Sequence, residues 1–185
     1  MKMYEYNASL DDWFQDICRS RVPSAFVVVQ DVLPDLPDTY PIFLDKATDR
    51  ESAPITILVH DLVLLVKLSI AKEDDPGLAI FQSAHEFGHC AFWNYYGKDR
   101  PGVGIGPSES PDKWNEEAIC SALQICVTKM LCSQEFFTRC LCHLGQSRAD
   151  YYATGAIIAK SVEFDASEVA ELFKKWPNVD FSDYR

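Results

Sequence analysis

Residues 77–95 read GLAIFQSAHEFGHCAFWNY. Asp74, Asp75 and Pro76 stand just ahead of them as a helix entry, because proline is tolerated in a first turn and acids are favoured by the helix dipole. A helix is therefore expected from about Gly77 to Tyr95. Inside it lies Ala84-His85-Glu86-Phe87-Gly88-His89-Cys90, a match to HExxH. Two histidines four apart share one helical face, one turn above the other, so their imidazoles can converge on one ion. Zinc favours such nitrogen ligands, and a catalytic zinc keeps one position for water. Glu86, one residue after the first histidine, can take the proton of that water as a carbonyl is attacked. At this chain's own His and Glu frequencies the pattern would arise by accident in roughly one case in two hundred. The bland alternative is a pair of histidines in the core or on the helix surface, with no metal.

Upstream, Ser9 and Asp12 offer a helix start, and Leu10, Trp13, Phe14 and Ile17 recur at helical spacing up to about Cys18, which predicts a short amphipathic lead-in helix. Ala25 to Val32, AFVVVQDV, is rich in β-branched residues and is followed by Pro34 and Pro37, so it reads as a strand closed by a turn. Tyr40 to Leu44 and Ile55 to Val59 read as two more strands. The run Asp61 to Ile70 fits a buried strand or a buried helix equally well. Downstream, the glycine- and proline-rich segment Tyr96 to Asp112 reads as a long surface loop. Helices are expected over Trp114 to Leu131, over Gln134 to Val162 with a break at Gly145, and over Ser167 to Trp176 before Pro177. Strands first and helices afterward make an α+β arrangement. The expected form is a small, mainly antiparallel N-terminal sheet on the HExxH helix, followed by a mostly helical C-terminal half. At 185 residues one domain is expected over 1–185, with 1–20 as lead-in and 133–185 as a helical extension.

Composition narrows the class. Apolar residues make up 48% of the chain, far from the signature of disorder. A formal net charge of -11, with no clustering of Lys or Arg, disfavours direct binding to nucleic acid or to an anionic membrane. The seven cysteines at 18, 90, 120, 126, 132, 140 and 142 form no CxxC pair and no disulfide framework, so reduced, mostly buried thiols in a cytoplasmic protein are expected. Cys120, Cys126 and Cys132 recur every six residues, which does not keep them on one helical face, and packing explains them best. Met1 to Leu10 has no apolar core, so no secretory signal is expected. The apolar stretch Ile55 to Ile70 is too short, and too charged, to span a bilayer. A delivered effector is the other location this composition admits.

The site needs a further ligand. A metzincin-type extension would place a glycine and a histidine where Phe92 and Tyr95 stand, which removes that class. The next predicted helix opens Trp114-Asn115-Glu116-Glu117-Ala118-Ile119-Cys120, and a glutamate there lies one helix away from HExxH. At this point the chain resembles the gluzincin metallopeptidases, and Glu117-Ala118-Ile119-Cys120-Ser121 is similar to their Glu-Ala-Ile-Ser-Asp or Glu-x-x-Ala/Cys-Asn pattern. The size, the preceding strands and Ala84 before HEFGH are most like the ImmA/IrrE-like minigluzincins. The resemblance covers about residues 25 to 132, with motif identity at 84–90 and 117–121. Where that subgroup carries Leu-Leu-Met-Pro, this chain has Val127-Thr128-Lys129-Met130.

The resemblance implies one zinc ion per chain held by His85, His89 and Glu117, with Glu86 as base, and a substrate lying along the sheet edge. Glu116 is the rival of Glu117. Glu117 is favoured because the small Cys120 would sit under it on the same helical face, whereas Glu116 reads equally as a helix-opening acid. Candidate donors to the developing oxyanion are His143, Arg148, Tyr151 and Tyr152. His60, beside Asp61, reads as a satisfied histidine at a strand end. Together these features predict a zinc metallopeptidase acting on a protein or peptide substrate, a regulator among the candidates. One alternative is a non-peptidase zinc hydrolase of the amidase or deformylase kind, but the upstream Cys18 lies in the lead-in helix, where a deformylase ligand would not. The other is a binding protein with a structural or vestigial metal site, in which Glu86 would serve no purpose. Oligomeric state is not written in any of these features.

Overall fold

A computed structural model describes residues 4–34, 36, 39–47, 53–97, 111–176, 178–181 and 184. The elements run β1 (Glu5–Tyr6), α1 (Asp12–Ser20), α2 (Val22–Val32), β2 (Ile42–Lys46), β3 (Ile55–Val59), β4 (Val63–Leu68), α3 (Gly77–Tyr96), α4 (Pro111–Leu131), α5 (Gln134–Gly145), α6 (Asp150–Ser161) and α7 (Ala166–Lys175). A small N-terminal sheet followed by helices is the α+β arrangement the order of predicted elements implies. Most of the expected loop from Tyr96 to Asp112 lies outside the described residues.

Three local expectations are corrected. Ala25 to Val32 is not a strand but most of α2. Its buried positions Val22, Ala25, Phe26 and Val29 fall at i, i+3, i+4 and i+7, the spacing of one helical face. Tertiary burial of that face overrides the β-branched composition. The sheet is mixed rather than mainly antiparallel. Its order is β1-β2-β4-β3, with β1–β2 and β2–β4 parallel and only the β3–β4 hairpin antiparallel. The lead-in also contributes more than a helix, since Glu5 and Tyr6 pair with Phe43 and Leu44. The ambiguous run at 61–70 resolves as β4, whose burial alternates with period two.

One face of the sheet carries Ile42, Leu44, Leu64, Val66 and Leu68, all buried. Against it lies α3, which also packs on α2 and α4, and α4 in turn packs on α6. All seven cysteines are free, and five of them are buried in this core. Among the described residues no helix is long and apolar enough to cross a membrane.

The helical half is punctuated by capping. Ser133 accepts from the Phe136 N–H ahead of α5, and Asp165 accepts from the Ser167 N–H ahead of α7. At the end of α6 the Phe164 N–H reaches the Ala159 carbonyl at 2.7 Å and the Glu163 N–H reaches Lys160 at 3.0 Å, the two bonds of a Schellman motif. Glu163 occupies the left-handed position of that motif at φ 54°, where glycine is free of the Cβ penalty. The exposed Glu163, replaced by glycine, is expected to stabilise the protein by about 1 kcal/mol, raising Tm by about 2–4 °C in a chain of this length. A thermal melt that shows no rise would mean the backbone there carries no strain.

Candidate metal centre

The central helix α3 is tied to the sheet by polar side chains as well as by apolar burial. Gln82 pairs with both backbone groups of Ser69, just past β4, accepting from its N–H and donating to its carbonyl, each at 2.8 Å. Asn94 accepts from the Thr39 and Tyr40 N–H groups ahead of β2, at 2.8 and 2.9 Å. Between them Glu86, only 2% exposed, accepts at Oε2 from the Thr56 hydroxyl of β3 at 2.7 Å. These α3 residues belong to a row spaced four apart, 82, 86, 90 and 94, along the sheet-facing side.

On the adjoining face His85 and His89 meet α4. That approach is close because residue 88 has no side chain. A Cβ there would stand 2.9 Å from the Cys120 sulfur and 3.3 Å from its Cβ. Gly155 of α6 does the same on the far side of α4, where a Cβ would lie 2.5 Å from the Ser121 Cβ and 2.8 Å from the Ala118 carbonyl. Held between α3 and α6, α4 also donates from Gln124 to the Phe81 carbonyl of α3 at 2.9 Å. The Ser121 hydroxyl turns back to the Glu117 carbonyl at 2.7 Å.

The result is a group of three donors, His85, His89 and Glu117, that could hold a metal ion. The two Nε2 atoms are 3.1 Å apart, and Glu117 Oε2 lies 3.2 Å from that of His85 and 3.6 Å from that of His89. His85 is buried; His89 and Glu117 are half-buried. Glu116 is elsewhere: its Oε1 lies 2.6 Å from Nδ1 of His89, the other side of the ring. Consecutive residues of a helix point about 100° apart, so the two glutamates take different atoms of the same histidine.

The electrostatics follow from burial. Desolvation opposes a charge on His89, yet the neighbouring Cys120 and Glu117 and hydrogen bonds to Cys120 and Glu116 outweigh it, and its pKa rises well above the ordinary imidazole value. Burial pushes the Cys120 thiol itself up to about 11. It is therefore neutral near pH 7, and the two carboxylates are what favour the imidazolium. Burial also opposes charge on Glu117, but His89 and the hydrogen bonds from both histidines hold its carboxyl well below the usual range.

Of the candidate oxyanion donors, Tyr152 of α6 places its ring centroid 6.1 Å from that of His85, and Tyr151 packs against Tyr152 at 4.5 Å. Burial and then Glu117 raise the Tyr152 phenol pKa. His143 and Arg148 are exposed, and no hydrogen bond or ion pair joins them to the group among the described residues. His60, with Asp61, forms the β3–β4 turn, both at positive φ of 51° and 56°. Thr56, Gln82 and Asn94 are contributors that the sequence reading does not reach. The four-residue polar spacing along α3 is the available signal for the last two; nothing local marks Thr56.

No protein-family model, curated protein or solved structure matches the chain. The centre therefore stands on its own geometry.

Since α4 carries Glu117 and is pinned by Gly155, Gly155→Ala is expected to destabilise the fold by about 1–3 kcal/mol through overpacking. It should also weaken metal retention by displacing α4. Gly145 is the control, because nothing lies within 4 Å of the Cβ that an alanine would add there, and Gly145→Ala should change stability by less than about 1 kcal/mol. Chemical denaturation of the two variants side by side, with metal content of each, checks this.

Proposed function

We propose that the chain is a zinc-dependent metallohydrolase of the gluzincin kind, cleaving a peptide bond in a cytoplasmic protein or peptide substrate. The observation that carries this reading is the triangle of donor atoms, with edges of 3.1, 3.2 and 3.6 Å. Atoms bound tetrahedrally to one zinc at about 2.0–2.2 Å are separated by about 3.3–3.6 Å. Two imidazole nitrogens and one carboxylate oxygen suit zinc, and three protein ligands leave the fourth place open, as catalytic sites do.

A zinc ion supplies Lewis acidity there, enough to polarise a carbonyl and bring the pKa of a water near neutrality. Glu86 follows His85 on the same helix and supplies the base. With Oε2 held by the Thr56 hydroxyl, Oε1 is the oxygen left to receive the proton as water adds to the carbonyl carbon. The same carboxyl then returns the proton to the departing amine as the C–N bond breaks. Tyr152 is the favoured donor to the carbonyl oxygen as negative charge develops on it, because its phenol stays protonated. Among the described residues β3 is the outer strand on this side of the sheet, and an extended peptide added to its edge by backbone hydrogen bonds would lie along the strand that carries Thr56.

Elemental analysis of purified protein, with His85→Ala, His89→Ala, Glu117→Ala and Glu86→Gln, tests the reading. The wild type should hold one zinc per chain, and each of the three ligand variants should lose it. Glu86→Gln should keep zinc and lose about 10²–10⁴-fold in hydrolysis of a labelled peptide mixture. Chelation should lower Tm, because an ion that binds only the folded chain stabilises it. Protein that takes up no zinc sinks the proposal, and zinc uptake with a wild type as inert as Glu86→Gln would make this a binding protein.

A further inference from the structure

Glu116 lies next to a ligand candidate yet serves another atom. Its side chain is only 7% exposed, and Oε1 sits 2.6 Å from His89 Nδ1. A carboxylate can only accept, so Nδ1 keeps its hydrogen, and Nε2, which faces His85 and Glu117, is the nitrogen left to give up its proton and offer a lone pair to an ion. The bond also fixes the ring's rotation, since a flipped imidazole would turn a carbon toward Glu116. Among the described residues His85 has no such partner behind its ring. Its Nδ1 is buried without a hydrogen bond, while its Nε2 faces the same group. The two imidazoles are thus inequivalent: behind the group, Nδ1 of His89 is braced by a buried carboxylate, while Nδ1 of His85 meets packing alone.

We infer that Glu116 is the positioning residue for the metal centre, setting the tautomer and orientation of His89 so that His89 binds the ion more firmly than His85 does. The inference rests on the metal-binding reading proposed above and adds a role that residue spacing does not assign. A carboxylate behind a ligating histidine raises the basicity of the ring, and loss of such a partner costs metal affinity even though it touches no ion. Here the brace comes from the residue immediately before the third ligand on the same helix, so one turn of α4 supplies both the ligand and the support.

The test is titration of metal-free wild type, Glu116→Gln, Glu116→Ala and His89→Ala with zinc, and with cobalt(II) followed by its visible absorption. Glu116→Ala should bind about 10–100-fold more weakly, with an altered cobalt spectrum. Glu116→Gln should lose less, because its amide oxygen still accepts from Nδ1–H. In the zinc-loaded protein, long-range nitrogen–proton NMR should show His89 protonated at Nδ1, with that proton moving upfield in both Glu116 variants while the His85 ring changes little. A merely structural role would lower stability and leave the tautomer and its proton shift unmoved. If both Glu116 variants bind as tightly as wild type with the same spectrum, while His89→Ala loses the ion, the metal centre stands and this inference falls. If Glu116→Ala does not fold, Glu116→Gln alone decides by the same readings. A wild type that binds neither ion removes the centre and the inference together.

Discussion

Two successive helices can share a site only three atoms wide if their axes come close, and at residue 88 that closeness is allowed by a missing side chain. A Cβ there would collide with Cys120, one turn along α4 from Glu116 and Glu117. Any larger residue would push α4 outward, and the donor atoms now 3.1–3.6 Å apart would separate by a comparable amount. Gly155 repeats the device from behind, so α4 is clamped on both sides. Close-packed interiors transmit such displacements rather than absorb them. The site's dimensions are thereby set by the backbone, and the donors inherit them.

Closeness carries an electrostatic cost. Glu86, Glu116 and His85 are buried and Glu117 and His89 half-buried, and isolated charges in such surroundings would be unfavourable. The arrangement answers this by pairing. Glu86 has Thr56, Glu116 has His89 Nδ1, and Glu117 lies against both Nε2 atoms. The raised His89 pKa and the depressed Glu117 pKa are two views of one compensated cluster. A cation among the Nε2 and carboxylate atoms would supply the same compensation as a proton on His89. That equivalence is why a centre of this kind both tolerates burial and selects a positive ion.

Much of this was legible in the sequence because several constraints fell on the same residues. His85 and His89 had to share a helical face, and the entry at Asp74–Pro76 placed that helix, so α3 was readable to within a residue. Glu117 was readable as a glutamate on the following helix and favoured over Glu116 by the small Cys120 on its face, and the crossing geometry turns the angle between the two adjacent residues into a choice for Glu117. The strand expected at Ala25–Val32 failed because β-branched composition reports a preference for half-buried surface, and α2 offers such a surface with helical period. Sheet order was not legible at all. The two parallel pairings join strands separated by helices or by an intervening strand, and pairings of that range leave no local mark.

Thr56 is the clearest instance of a residue whose role is written far from itself. It faces α3 because β3 pairs with β4 in a register that sets Ile55 and Ile57 outward, 47% and 41% exposed, and Thr56 and Leu58 inward. That register is closed by a tight turn in which His60 and Asp61 both take left-handed backbone and the Leu62 N–H reaches the Val59 carbonyl at 3.0 Å, the pattern of a type I′ turn. A slip of one residue would turn every side chain of β3 to the opposite face, presenting an isoleucine to the Glu86 carboxylate and burying it without a donor. The cost of that unsatisfied charge opposes the slip. The hairpin turn fixes the strand, the strand fixes Thr56, and the need to satisfy Glu86 in turn selects the register, so the turn at His60 and Asp61 helps to hold the Glu86 carboxylate in place beside the three side chains that could hold a metal ion.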